Sequence, residues 1–224
     1  MARLRLSTLV LTVACLGQAG FWYASHDLGP RLDILPELPS DQAVRAVAFG
    51  DNQFVFRLFG LHLQNAGDST GHFTPLADYD YGRLSRWFDL EDRLDPVSDY
   101  VPAIAGYYYG LTPRLVDVRP VVTYLSRHAA RDPAHKWRWL ARATYLANHR
   151  LKDQALALQV ARQLASVNGP DVPPWTRQMP AFILRQMGDK EAARAVLDAL
   201  LATDPNLPEQ EKEFMRRYED RFLR

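Results

Sequence analysis

The chain has 224 residues, enough to bury one sizeable core or two small ones. Its 27 Lys and Arg against 26 Asp and Glu leave a net charge of +1, which excludes the strongly basic surface that nucleic acid or an anionic membrane would select. Cys15 is the single cysteine, so neither an internal disulfide nor a cysteine-based zinc site can form.

Arg3 and Arg5 precede an uncharged stretch from Leu6 to Ser25, which closes on Phe21, Trp22 and Tyr23. As a helix this stretch would span about 30 Å, the thickness of a bilayer's hydrocarbon layer. Residues 1–27 therefore read as a signal peptide or a transmembrane anchor. The arginines predict a cytoplasmic N-terminus with the rest of the chain on the far side. Three forms stay open: a retained anchor, a soluble protein released near Gly17, Gln18 and Ala19, and a lipoprotein in which Cys15 becomes the acylated first residue. Residues 28–39, with Pro30, Pro36 and Pro39, predict a stiff extended connector, because proline fixes its own φ and disfavours helix in the residue before it.

Residues 40–96 form a helical lead-in. Ser40 or Asp41 can cap a first helix that stops at Gly50, and Asp51 can cap a longer second one. The second carries Phe54, Val55, Leu58, Phe59, Leu61 and His62 on more than one face, which predicts a helix sandwiched between neighbours. Residues 65–79 form a loop long for a helical domain and hence a candidate functional or mobile insertion. A helix from Tyr81 to Leu94 follows, with Leu84, Trp87, Phe88 and Leu94 on its apolar stripe. Asp78, Asp80 and Asp89 faintly echo a calcium loop. Gly82 comes one position early and Asp89 stands where a bidentate Glu belongs, so Asp80 reads as a helix cap.

Residues 97–205 repeat. Four polar phrases end in Pro96, Pro133, Pro170 and Pro205, at steps of 37, 37 and 35 residues, each after a helical apolar pattern. Three helix pairs lie between them: Ser98 to Tyr109 with Asp117 to Ala130, Ala134 to Asn148 with Lys152 to Val167, and Pro174 to Met187 with Asp189 to Thr203. The apolar stripe of the first of these helices runs through Val101, Ile104, Ala105 and Tyr108. Pro120 sits in a first turn, where proline is tolerated, whereas Pro180 should kink or delay its helix. Residues 206–224 predict a charged helix suited to cap the array.

The phrase Gly188-Asp189-Lys190-Glu191, with Ala193, Leu197 and Leu200 behind it, resembles the second half of a tetratricopeptide repeat. Trp137, Leu140 and Ala141 resemble the first-helix pattern of the same repeat, and Ala157 and Ala161 the second. With the N-terminal segment and the Leu94-Asp95-Pro96 phrase, the chain is similar to tetratricopeptide-like proteins of the bacterial envelope. That resemblance implies an all-α, helical-hairpin solenoid behind an N-terminal hydrophobic helix. It places the C-terminal domain in the periplasm, on the inner membrane, in soluble form or as a lipoprotein. It carries over packing positions and no catalytic residue.

The remaining chemistry is sparse. Six histidines are scattered, with no pair at metal-binding helix spacing. No phosphate loop, nucleophile elbow or converging carboxylate pair is present, so neither cofactor nor small-molecule substrate is expected. Tyr107, Tyr109, Arg138 and Arg142 could line a concave face for an acidic or C-terminal segment of a protein partner. The function expected on these grounds is a non-catalytic scaffold or adaptor. A periplasmic chaperone or accessory factor of an export or assembly system is its rival, and an enzyme using the 65–79 loop a distant third.

Overall fold

The computed structural model describes residues 2–25, 34–69, 72–204 and 207–223. His26, residues 28–33 of the proline connector and Pro205 lie outside the described residues. Among the described residues eleven α-helices are joined by short 3₁₀ turns and one π-helical turn, Leu146–Arg150, and a two-residue β-ladder interrupts them once. The chain separates into two compact units, Met1–Pro36 and Glu37–Arg224.

The first unit contains helix α1 (Ala2–Ser25). Its segment Thr8–Ser25 is long and apolar enough to cross a membrane, and its Leu, Val and aromatic side chains are exposed throughout. Cys15 sits exposed in the middle of this helix.

The second unit begins with α2 (Asp41–Ala48) and α3 (Asn52–Gln64). Ser40 caps the first by accepting from the Ala43 N–H, and Asp51 caps the second by accepting from the Phe54 N–H. Asp80 does the same for α4 (Tyr81–Leu94), accepting from the Arg83 N–H at 2.9 Å. There follow α5 (Tyr100–Tyr107), α6 (Val118–Ala130), α7 (Pro133–Tyr145), α8 (Gln154–Ala165), α9 (Met179–Gln186), α10 (Lys190–Thr203) and α11 (Glu209–Phe222). From α6 to α10 each helix packs on the next, and α4 also meets α6 as α5 meets α7.

Several expectations shift in detail. Helix α3 is not sandwiched: it buries Val55, Phe56 and Leu63 against α2, α4 and α5 but leaves Phe54, Leu58 and Leu61 exposed. Pro133 opens α7 instead of closing the preceding unit, because its missing N–H is harmless at a helix start. Pro180 delays its helix as its chemistry requires. Residues Pro174–Gln178 form a 3₁₀ turn and α9 begins only at Met179. Among the repeat positions, Leu140, Ala157, Ala161, Ala193 and Leu197 are buried. Trp137, Ala141 and Leu200 are half-buried. Ala143, one turn along the Trp139 and Leu140 face, is the fully buried small residue of α7 in place of Ala141. Trp137 meets Trp175 edge to face, 5.8 Å between ring centres.

A buried polar centre ties α4 to α6. The Asp92 carboxylate accepts from the Tyr124 hydroxyl at 2.8 Å, from His128 Nδ1 at 3.0 Å and from Arg131 at 2.8 Å. Tyr124 and His128 are fully buried and Asp92 is nearly so. Tyr124 and His128 lie on one face of α6 and Arg131 just past its end, at helical spacing, and Asp92 faces them from the last turns of α4. Beside it the Asp89 carboxylate accepts both of its hydrogen bonds from Arg127, at the surface. Asp92→Ala strips the shared acceptor from two fully buried donors and from the exposed Arg131, and should cost ~3–5 kcal/mol. Asp89→Ala should cost under ~1 kcal/mol. Urea unfolding of the two variants measures the contrast.

Candidate functional site

Helix α5 is apolar nearly all round, and the fold uses both sides of it. Val101, Pro102, Ala105 and Gly106 face inward and are buried. Tyr100, Ala103, Ile104 and Tyr107, spaced by three and four residues, face outward as a second stripe. Gly106 permits the close approach of α7: a Cβ there would stand 3.1 Å from Arg142 Cγ. The Arg142 guanidinium donates twice to the Gly106 carbonyl, at 3.0 and 2.8 Å.

The segment 65–79, expected as a loop, is a pinned hairpin. Asp68 pairs with Phe73 and Ser69 with His72 in the antiparallel ladder. The chain then turns through a 3₁₀ segment, Leu76–Asp78. The buried Tyr79 hydroxyl donates to the Ala66 carbonyl, and Arg114 donates to the Ala77 carbonyl at 3.0 Å. Gly67 takes φ +75, and a Cβ on it would fall onto the Tyr79 hydroxyl. Gly67→Ala should therefore cost ~1–3 kcal/mol by overpacking on top of backbone strain, read as a lower thermal midpoint.

Between this hairpin and the outward stripe of α5 lies a groove of about 570 Å³. Its floor is Tyr100, Ala103, Ile104 and Tyr107, and its walls include Gln64, Phe73, Thr74 and Tyr108. Phe73 is 83% exposed at the rim. The Tyr100 hydroxyl donates to the Gln64 side chain, closing one end. Asp68 is the one carboxylate among the lining residues. Burial pushes the Tyr79 hydroxyl up to about 12, so it remains a neutral donor at physiological pH. The arrangement offers apolar area, aromatic edges and neutral hydroxyls, which suit binding of a largely apolar segment.

Of the sequence-predicted peptide-binding residues, Tyr107 lines the groove and Arg142 stacks over its ring, 4.4 Å from the centroid. Arg142 also lies 5.0 Å over Tyr145, so the pair continues onto α7 as an aromatic and cationic ledge. Arg138 lies 3.6 Å from the Asp99 carboxylate. Tyr109 must be withdrawn from any binding surface. It is fully buried, donates to the Leu63 carbonyl at 2.6 Å and is packed among Tyr79, Tyr81, Phe88 and Tyr108. Tyr108, expected in the core, is exposed instead. The reason is local: α5 ends at Tyr107 and the chain tightens into a 3₁₀ turn, Tyr109–Leu111, which moves the inward direction one residue on.

Glu91 lies beneath the site, fully buried against Gly60 of α3, with neither carboxylate oxygen hydrogen-bonded. Burial first, then the charge of Asp92, pushes its carboxyl up to about 8 from an ordinary 4.5. It sits one turn beyond Phe88, in register with the apolar stripe of α4. That register was the available sign that a carboxylate here would be buried. Between pH 4.5 and about 8 the folded protein holds a proton on Glu91 that the unfolded chain has released. This contribution to stability is therefore fully present below the lower value, falls as pH rises through the interval, and levels off above it. Glu91→Gln should remove that decline, leaving the variant more stable than the wild type at roughly pH 9 and little changed at roughly pH 5. Urea midpoints at the two pH values test this.

Comparison of the chain with protein-family models, with curated proteins and with solved structures finds no match.

Proposed function

We propose that this protein is a non-catalytic, tetratricopeptide-like helical scaffold of the bacterial envelope. It is held to the inner membrane by α1, its helical domain lies on the periplasmic side, and it binds a protein partner through the groove between α5 and the 65–79 hairpin. The observation that carries the reading is the outward stripe of α5, Tyr100, Ile104 and Tyr107, lying along a groove whose opposite wall is a pinned hairpin. Anchors at such spacing receive an apolar helix or extended segment, with alternate side chains seated in the groove. Arg142, half-buried with two of its donors spent on Gly106, adds positive charge beside Tyr107 for an acidic or C-terminal group of that segment.

The helical array supports the same reading. Long-range polar contacts recur about one repeat apart. Arg127 reaches Asp89 over 38 residues, Lys136 reaches the Pro96 carbonyl over 40, Arg142 reaches Gly106 over 36 and Asn148 reaches Gln186 over 38. Nearest-neighbour stacking of this kind is what a solenoid requires, and it supports the proposal.

A photo-crosslinking residue at Tyr107, in the full chain in its native membranes, should capture a polypeptide. Ile104→Asp, which places a charge on the groove floor, should reduce that capture at least about tenfold, since burying an unpaired charge exceeds 1.4 kcal/mol. Circular dichroism checks that the helices persist. Capture that survives Ile104→Asp unchanged, in a folded variant, rules out the groove as the binding site.

A further inference from the structure

Glu91 stands where α4 meets α3 and α5, with no exposed surface, and neither of its carboxylate oxygens finds a hydrogen-bond donor among the described residues. A charged carboxylate in such a place is costly, so the site demands either a proton on Glu91 or access for water. The space it occupies adjoins the groove. Gly60 of α3 leaves room where a Cβ would stand 2.9 Å from Tyr100 Cε1 and 3.7 Å from Glu91 Oε2. Tyr100 borders both places: it lines the groove floor, its ring meets Phe56 edge to face at 6.5 Å, and its hydroxyl closes one end on Gln64. The end of α5 that carries Tyr100 is lightly held, since the helix is eight residues long and Asp99 gives it no side-chain cap.

We propose that binding in the groove is proton-linked through Glu91: with the carboxyl neutral, α5 stays closed on α3 and α4 with Tyr100 in the groove floor, and on ionisation water enters, Tyr100 leaves its place and the partner is released. The proposal rests on the reading of the groove as a protein partner's site. The groups around Glu91 set the direction of the effect. On its own helix Asp92, although bonded to Tyr124, His128 and Arg131, adds negative charge that opposes ionisation. Helix α3 presents His62, which packs on Trp87 and which burial holds below the usual histidine range. Helix α5 presents Tyr100, whose hydroxyl is raised above its ordinary 10 by burial and then by Glu91. Neither His62 nor Tyr100 therefore titrates between roughly pH 7 and 9. No cation among the described residues offsets a charge on Glu91. The closed site holds the proton up to about 8, whereas a carboxyl open to water releases it near 4.5. Each pH unit in that interval makes opening about tenfold easier, and above it the gain stops.

Two measurements on the full chain test this. In lipid nanodiscs, carbon-13 signals of the tyrosine rings are followed by NMR from roughly pH 7 to 9, with Tyr100 assigned through Tyr100→Phe. The Tyr100 signal should shift with a midpoint of about 8 in the wild type and stay flat in Glu91→Gln. Circular dichroism checks folding, and Glu91→Leu replaces the Gln variant if that one unfolds. A flat wild-type signal overturns the proposal whatever the groove binds. In native membranes, a photo-crosslinking residue at Tyr107 should capture about three- to tenfold less polypeptide at roughly pH 9 than at roughly pH 7, tenfold being the limit for one proton over the interval left below about 8. Glu91→Gln should capture equally at both. An equal loss in Glu91→Gln, or no loss in the wild type, overturns the proposal and leaves the groove as a binding site. No capture at either pH overturns the groove reading, and this proposal with it.

Discussion

The Asp92 carboxylate is the constraint on which the helical domain depends. It is nearly buried, and a bare charge there would be prohibitive. Tyr124, His128 and Arg131 make it tolerable only when α6 lies against the end of α4 at one rotation and one height. Apolar packing alone would accept neighbouring arrangements of two helices. A carboxylate with three directed donors does not. Once α4 and α6 are so fixed, α5 is confined between them and α7, and the Arg131 side chain also reaches the Asp92 carbonyl to fasten the end of α4.

The groove is a consequence of that confinement. Helix α5 is short and apolar on two sides, and only one side finds a partner. The second side stays open because the 65–79 hairpin is held at a distance from it by its own bonds: Tyr79 to Ala66, Thr74 to Gly67, and Arg114 to Ala77. Buried Tyr109 is the common support. It bonds the end of α3, accepts from Tyr81 through its carbonyl at 2.9 Å, and carries the ring of Tyr79 against its own. The site is thus set by aromatic packing and carbonyl hydrogen bonds, with few charges involved.

Much of this was legible in the sequence. The caps at Ser40, Asp51 and Asp80, the bounds of α4, the charged final helix and the delay at Pro180 follow from residue chemistry that acts within a turn or two of the chain. The groove was only half legible. Tyr107 was readable as a candidate exposed aromatic with Arg142 near it in sequence, but Tyr108 and Tyr109 exchanged roles through a 3₁₀ turn that shifts helical phase without a local signal strong enough to fix it. The hairpin escaped notice because its ladder is two residues long, below any periodicity. Glu91 and Asp92, adjacent in sequence, point to different parts of a helix surface and offer no converging pair. Glu91 continues the apolar stripe of α4, which signals burial, whereas the burial of Asp92 follows from partners on α6 far along the chain, which a local pattern does not contain.

A group of polar contacts of similar span has a consequence for how this chain can change. Bonds that join residues 36 to 40 positions apart, through Lys136, Trp139, Arg142 and Arg150, act as rungs between one helical unit and the next. Adding or deleting one residue inside a helix would rotate the residues beyond it by about 100° relative to those before it and break the rungs that span the change. Length variation is therefore better tolerated in the connections between helices than within them, while substitutions remain free over the exposed helix faces. The architecture resists insertion more strictly than it resists replacement.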